Sequence, residues 1–312
     1  MENLFIAMNG VLPLFFFIAI GILIKTKHLM SEIEIKHLNG MLFKIFFFLM
    51  LFNTIYTTNI ETSFRPYLMF FGVTALLVMY CITFGFVCLI EKSNKRRGAM
   101  IQAIYRSNFV IMGIPLVTNI YGDSNLGITT MMIAVIVPLY NVLGVITLEI
   151  FRGTKIKIKE VIKGVITNPL ILGAACGALF LFSGLKIPQP ILKPIGQMAG
   201  ATSMLALIVL GASFHLSSTK EHLPQLVICV LGRLLVFPAC VFAVALYLGF
   251  RNAELMTLVA IFASPGAVVG FTMAQQMNSD ADLAGNNIVF TTAFSALTFC
   301  SWIFLFKNYG FM

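Results

Sequence analysis

The sequence predicts an all-α polytopic membrane protein: ten transmembrane helices as two inverted five-helix repeats, with broken, crossing helices in spans 4 and 9. Three observations carry that prediction. Of 312 residues, 59% are hydrophobic and only 11% charged, with a mean hydropathy of +0.95; soluble domains run at about 45–50% apolar and about 25% charged. Apolar runs that meet the requirement of about 20 residues per helical crossing recur along the whole chain. Two of them are interrupted in corresponding places. Sliding the chain by 157 positions lays Ser107 on Ser264, Asn108 on Pro265, Gly113 on Gly270 and Asp123 on Asp280.

The expected spans are 4–24, 39–57, 67–90, 99–121, 126–150, 167–185, 196–214, 224–249, 255–277 and 286–306. The first is a span and not a signal peptide, because Glu2 precedes it, no Lys or Arg does, and the apolar run continues to Ile24. Thirteen basic residues fall in loops on one side, among them Lys92, Lys95, Arg96 and Arg97 and the run from Arg152 to Lys163; five fall on the other. The positive-inside rule puts the richer side in the cytoplasm and both termini outside the inner membrane. Five crossings invert whatever follows them. The expected units are a first repeat at 1–151, a basic cytoplasmic linker at 152–166 and an inverted second repeat at 167–312. Pro13 precedes Gly21 by eight positions and Pro169 precedes Gly177 by the same eight, a second sign of the repeat.

Several function classes are excluded. The net charge of +9 sits in short loops between apolar runs, which fits membrane orientation and not nucleic acid. All six cysteines lie in apolar runs without CxxC spacing, so neither disulfides nor metal are expected. His28, His37, His215 and His222 lack ligand spacing, no hydrolase, Walker or HExxH signature occurs, and Glu149 is the only acidic residue well within a span. No cofactor is expected.

The interrupted spans carry the chemistry. Proline removes a backbone donor and clashes with the preceding turn, so Pro115 and Pro265 are expected to break the helical ladder. Irregular backbone at membrane depth is tolerated only inside protein or beside a water-filled cavity. Each break opens a helix N-terminus that favours an anionic group, and paired interrupted helices in two halves point to a transporter's substrate site. The expected binding residues are Asn108, Gly113, Pro115, Asn141, Ser264, Pro265 and Gly266. Arg106, at the mouth of the first break, is an anion-attracting charge or a helix anchor. Arg233 is an intramembrane charge that attracts anions, snorkels or pairs with a carbonyl.

The segment Arg96–Leu116 (RRGAMIQAIYRSNFVIMGIPL) resembles the auxin efflux carrier family, whose bacterial members include malate and malonate permeases. Asn168–Gly173 (NPLILG), Leu207–Ser213 (LIVLGAS) and Ser264–Gln276 (SPGAVVGFTMAQQ) are similar to the family's second-half motifs. The resemblance implies ten spans in inverted repeats, a scaffold domain moving against a transport domain, and a substrate carboxylate held near the crossing by Asn108, Gly113, Pro115, Pro265 and Asn141. One departure concerns the site. Many relatives carry prolines in spans 2 and 7 where this chain has Phe48 and Met204.

The expected function is therefore alternating-access transport of a small organic anion, a mono- or dicarboxylate. The expected partners are the bilayer, the anion, a coupling ion (proton or sodium) and a second copy in a homodimer. A sodium-coupled symporter of bile-acid-carrier-like architecture is the alternative, followed by a membrane-embedded enzyme or sensor.

Overall fold

A computed structural model describes residues 2–58, 65–110, 117, 120–121, 126–153, 158–214 and 216–312. The described chain is helical apart from short connections and one isolated bridge. Its helices are α1 (Glu2–Thr26), α2 (Glu32–Tyr56), α3 (Pro66–Ile90), α4 (Asn94–Tyr105), α5 (Leu126–Phe151), α6 (Ile158–Ile166), α7 (Pro169–Ser183), α8 (Gln189–Ser213), α9 (Leu216–Glu221), α10 (Leu223–Tyr247), α11 (Asn252–Ala263), α12 (Val269–Gln276) and α13 (Ala281–Asn308). Among the described residues, six helices are long and apolar enough to cross a membrane: α2, α3, Gly127–Phe151 of α5, α8, α10 and α13. Leu12–Thr26, α7 and α11 are shorter apolar helices. The protein is a multi-pass membrane protein.

Helices begin earlier than hydropathy alone indicates, because polar caps start them. At α2 the Ser31 hydroxyl accepts from the Glu34 amide at 3.3 Å while the Glu34 carboxylate accepts from the Ser31 amide at 2.7 Å. This capping box satisfies two orphan donors and starts the helix at Glu32, not at 39. Asp280 likewise accepts from the Leu283 amide at 2.9 Å and starts α13 at Ala281 rather than 286. Asn168 caps α7, with Pro169 in the first turn.

Two helix pairs reproduce the sequence offset at both ends. α2 and α8 run from 32 to 56 and from 189 to 213, and α3 and α10 from 66 to 90 and from 223 to 247, each boundary displaced by 157.

Small residues bring α1 onto α8 and α2 onto α7. A Cβ on Gly21 would lie 2.0 Å from the Ile208 carbonyl, and one on Gly173 2.4 Å from the Phe48 carbonyl, so the backbones themselves meet. Phe48, at an expected proline position, lies two residues after a π-helical turn (Leu42–Phe46) that makes α2 irregular without proline. Met204 lies in regular helix. By contrast, the spacing Gly196 to Gly200 marks no close contact, since nothing lies within 4 Å of a Cβ on Gly200. α4, α11 and α12 pack among α3, α5, α10 and α13.

Candidate functional site

The two interrupted spans meet. α4 stops at Tyr105 and α11 at Ala263, and Ser107 pairs with Gly266 in an antiparallel bridge. The Asn108 amide donates to the Pro265 carbonyl at 2.9 Å. The Gly266 amide donates to the Thr291 hydroxyl at 3.0 Å. Backbone freed from one helix is thus satisfied by the other break or by α13, as membrane-depth backbone requires.

Local sequence explains the second break. A residue before proline is driven out of the helical region, and Ser264 is extended, with ψ 149°. Its hydroxyl turns back to the Ala260 carbonyl. The first break opens at Arg106–Asn108, with Arg106 at its mouth as expected; Gly113 and Pro115 lie outside the described residues.

Arg233 joins the two helix ends. It lies in a π-helical turn of α10, Gly232–Val236, a feature frequent at functional sites. Nε donates to the Ser264 carbonyl at 2.8 Å. One Nη donates to Ile104 and Tyr105 at 3.1 and 3.0 Å, and the other to Ile261 and Phe262 at 3.2 and 2.7 Å. All five N–H groups of the guanidinium therefore reach carbonyls at the C-terminal ends of α4 and α11. Those ends carry orphan acceptors and the negative pole of the helix dipole. The carbonyl pairing foreseen for Arg233 is present, and no N–H remains for an anion.

Arg106 is placed differently. It is only 3% exposed, and its partners among the described residues are neutral. One Nη donates to the Gln102 amide oxygen at 3.1 Å and to the Met273 sulfur at 2.9 Å, and the other to the Asn141 amide oxygen. Asn141 in turn donates to the Val137 carbonyl at 2.8 Å. The ion pairs of the described residues, Glu91–Arg96, Glu149–Arg152 and His222–Asp280, include neither buried arginine.

Arg106, Asn108 and Asn141 line one cavity of about 70 Å³. Thr54 of α2, Ser203 of α8, Tyr140 of α5, Ala267 and Val269 at the start of α12 also line it. At roughly 10–15 Å³ per water it has room for several waters. Of the expected binding residues, the fold brings Asn108 and Asn141 together here, with Arg106, the expected anion-attracting charge, and Ala267 beside them. Ser264 and Pro265 form the wall of the break, and Gly266 lines a second cleft with Gln102 and Asn287.

Sequence reasoning missed Tyr140, Gln102, Asn287 and Thr291. Gln102 had a signal: it sits four residues before Arg106, on the same helical face. Tyr140, whose hydroxyl is 3.1 Å from that of Ser107, adjoins Asn141 in the same apolar run.

Paired helix breaks around buried cations, in a fold of membrane-crossing helices, define a membrane transport protein. The family described as "Membrane transport protein", which includes the auxin efflux carriers, has a family model that matches residues 6–303, and the chain belongs to this family. It is also 22% identical, over 97% of its length and 100% of the relative's, to an uncharacterized transporter of Methanocaldococcus jannaschii.

Proposed function

We propose that this chain is a secondary transporter of small organic anions, of the class of mono- and dicarboxylates such as malate and malonate, and that it works by alternating access. The observation that carries the reading is Arg106: a buried guanidinium whose partners among the described residues are all neutral, facing a cavity where two helix breaks meet. Burying a cation costs several kcal/mol unless a counter-charge compensates. A substrate carboxylate supplies that counter-charge, with Asn108 as a further donor and Asn141 holding Arg106 in place. Gly113, Pro115, Pro265 and Gly266 shape the two breaks in this reading.

The reading includes ten spans in two inverted halves, 1–151 and 167–312, joined by the cytoplasmic linker 152–166, in an inner membrane with both termini outside. The shared displacement of 157 in two helix pairs supports the halves. The sodium-coupled alternative needs freed carbonyls to coordinate the ion. Five carbonyls at the breaks already accept from Arg233, which favours an anion carrier without a sodium site there.

The test is solute counterflow in proteoliposomes with labelled malate, challenged by unlabelled mono- and dicarboxylates, amino acids and bile acids, with and without sodium. Competition by carboxylates alone, unaffected by sodium, is expected. Exchange that requires sodium moves the assignment to the symporter, and no carboxylate exchange rejects the substrate class.

A further inference from the structure

Helix α6, in the linker between the two halves, has no place in the substrate site. Its nine residues are too few for a stable isolated helix in water, where about 12–15 residues are marginal. Something must hold it. Part of the answer is α5: a Cβ on Gly164 would lie 2.4 Å from the Glu149 carboxyl carbon, so the Gly164 face of α6 rests on the end of that helix.

The opposite face is uncovered. Ile158, Ile162 and Ile166 are 73%, 53% and 61% exposed. Four-residue spacing turns the helix by only about 40° per step at about 100° per residue, so the three form one stripe. Val161 and Val165, on the flank toward the protein, are half-buried. Lys159 and Lys163 are exposed and follow the stripe on its other flank. Around the helix the order is protein contact, half-buried valines, bare isoleucines, lysines.

We infer that α6 is a membrane-surface anchor: the isoleucine stripe enters the acyl boundary while Lys159 and Lys163 engage the anionic headgroups of the leaflet beneath it. An apolar stripe flanked by lysines is the pattern of interfacial helices, and lysine stems reach from apolar surface to charged headgroups. The location fits. α6 starts seven residues after α5 ends at Phe151 and stops three residues before α7 begins at Pro169, so membrane-crossing and apolar helices tether it from both ends. Lys155 and Lys157 add positive charge just before it. The occupant is lipid carrying negative charge, and the lipid would fix the junction between the halves at the membrane face.

Hydrogen exchange of the full chain tests this in nanodiscs holding one copy each, made of phosphatidylcholine alone or with one-third phosphatidylglycerol. Amides of 158–166 should exchange about tenfold more slowly in the anionic discs, given the surface attraction of each lysine. The double variant Lys159→Gln/Lys163→Gln should return them to the phosphatidylcholine rate, and Ile162→Asn should speed exchange in both lipids. Equal rates in the two lipids with no effect of the lysine variant overturn the proposal. So does protection that appears only with two copies per disc, which would assign the face to a second chain.

Discussion

Arg106 and Arg233 are two guanidiniums buried where the two helix breaks meet, and they are handled in opposite ways. Arg233 meets five carbonyls at two helix ends and has no N–H left over. Arg106 meets two amide oxygens and a sulfur, and borders a cavity. The difference teaches that burial and charge do not by themselves mark a binding residue. What separates structure from chemistry is whether the surroundings answer the charge.

Arg233 gives the largest expected effect. Arg233→Met removes the charge and leaves five buried carbonyls at the ends of α4 and α11 without their donor. Loss of one side of a buried charged arrangement costs roughly 3–5 kcal/mol, so the variant should lose monodisperse, heat-resistant protein in detergent. Arg233→Lys should recover only part, since an ammonium has three donors on a flexible stem. A Met variant as heat-resistant as the parent would break the comparison, because Arg233 would then not be the clasp.

Arg106→Gln should do the reverse. The variant should fold with unchanged or higher thermal stability, since a buried cation without a counter-charge is removed. Carboxylate counterflow should fall about 30–100-fold, corresponding to roughly 2–3 kcal/mol for a desolvated charge contact. Unfolding of this variant to the degree of Arg233→Met would merge the two arginines into one structural role.

Asn108→Ala sharpens the same contrast on a neutral group. It should leave stability intact and raise the half-saturating substrate concentration by about tenfold, as a hydrogen bond to a charged group contributes roughly 1.5–3 kcal/mol. Unchanged counterflow kinetics would remove Asn108 from the site.

Much of this arrangement was legible from sequence. The all-helical membrane fold, the interrupted spans and the 157-residue offset follow from periodic apolar runs and from glycine and proline, which act locally. Membership of the transport family was legible in the motifs around Ser107 and Ser264. What holds the first break open was not: α4 ends at Tyr105, where the bridge to Gly266 and the carbonyl contacts of Arg233 hold an extended backbone. Those forces come from α10 and from residues over a hundred positions away, and no local propensity encodes them. Tyr140 and Asn287 escaped for a related reason. A polar residue in an apolar run is visible, but which cavity it faces depends on how helices rotate against one another.

The comparison extends to an acid at the membrane edge, where the smallest effect is expected. Glu91 follows α3 and accepts from the Ser93 amide at 2.8 Å and from Gln225 at 3.0 Å, with Arg96 at 3.4 Å. Burial pushes its pKa up, but the Ser93 amide, Gln225 and Arg96 more than offset this, and the net shift is below the ordinary carboxylate value of 4.5. A lowered folded pKa means the carboxylate favours the folded state above that ordinary value, and the contribution fades as pH falls through the folded pKa. Thermal stability should therefore be flat in this respect from pH 8 to about pH 5 and fall below it. Glu91→Gln should shallow that acid limb and leave carboxylate counterflow at neutral pH unchanged, because Glu91 ties the start of α10 to the loop before α4 and stands apart from the cavity. An acid limb identical in Glu91→Gln would mean that another group sets it. In contrast to the two arginines, whose partners among the described residues are neutral, buried Glu91 has a cation within 3.4 Å, so its charge is answered locally.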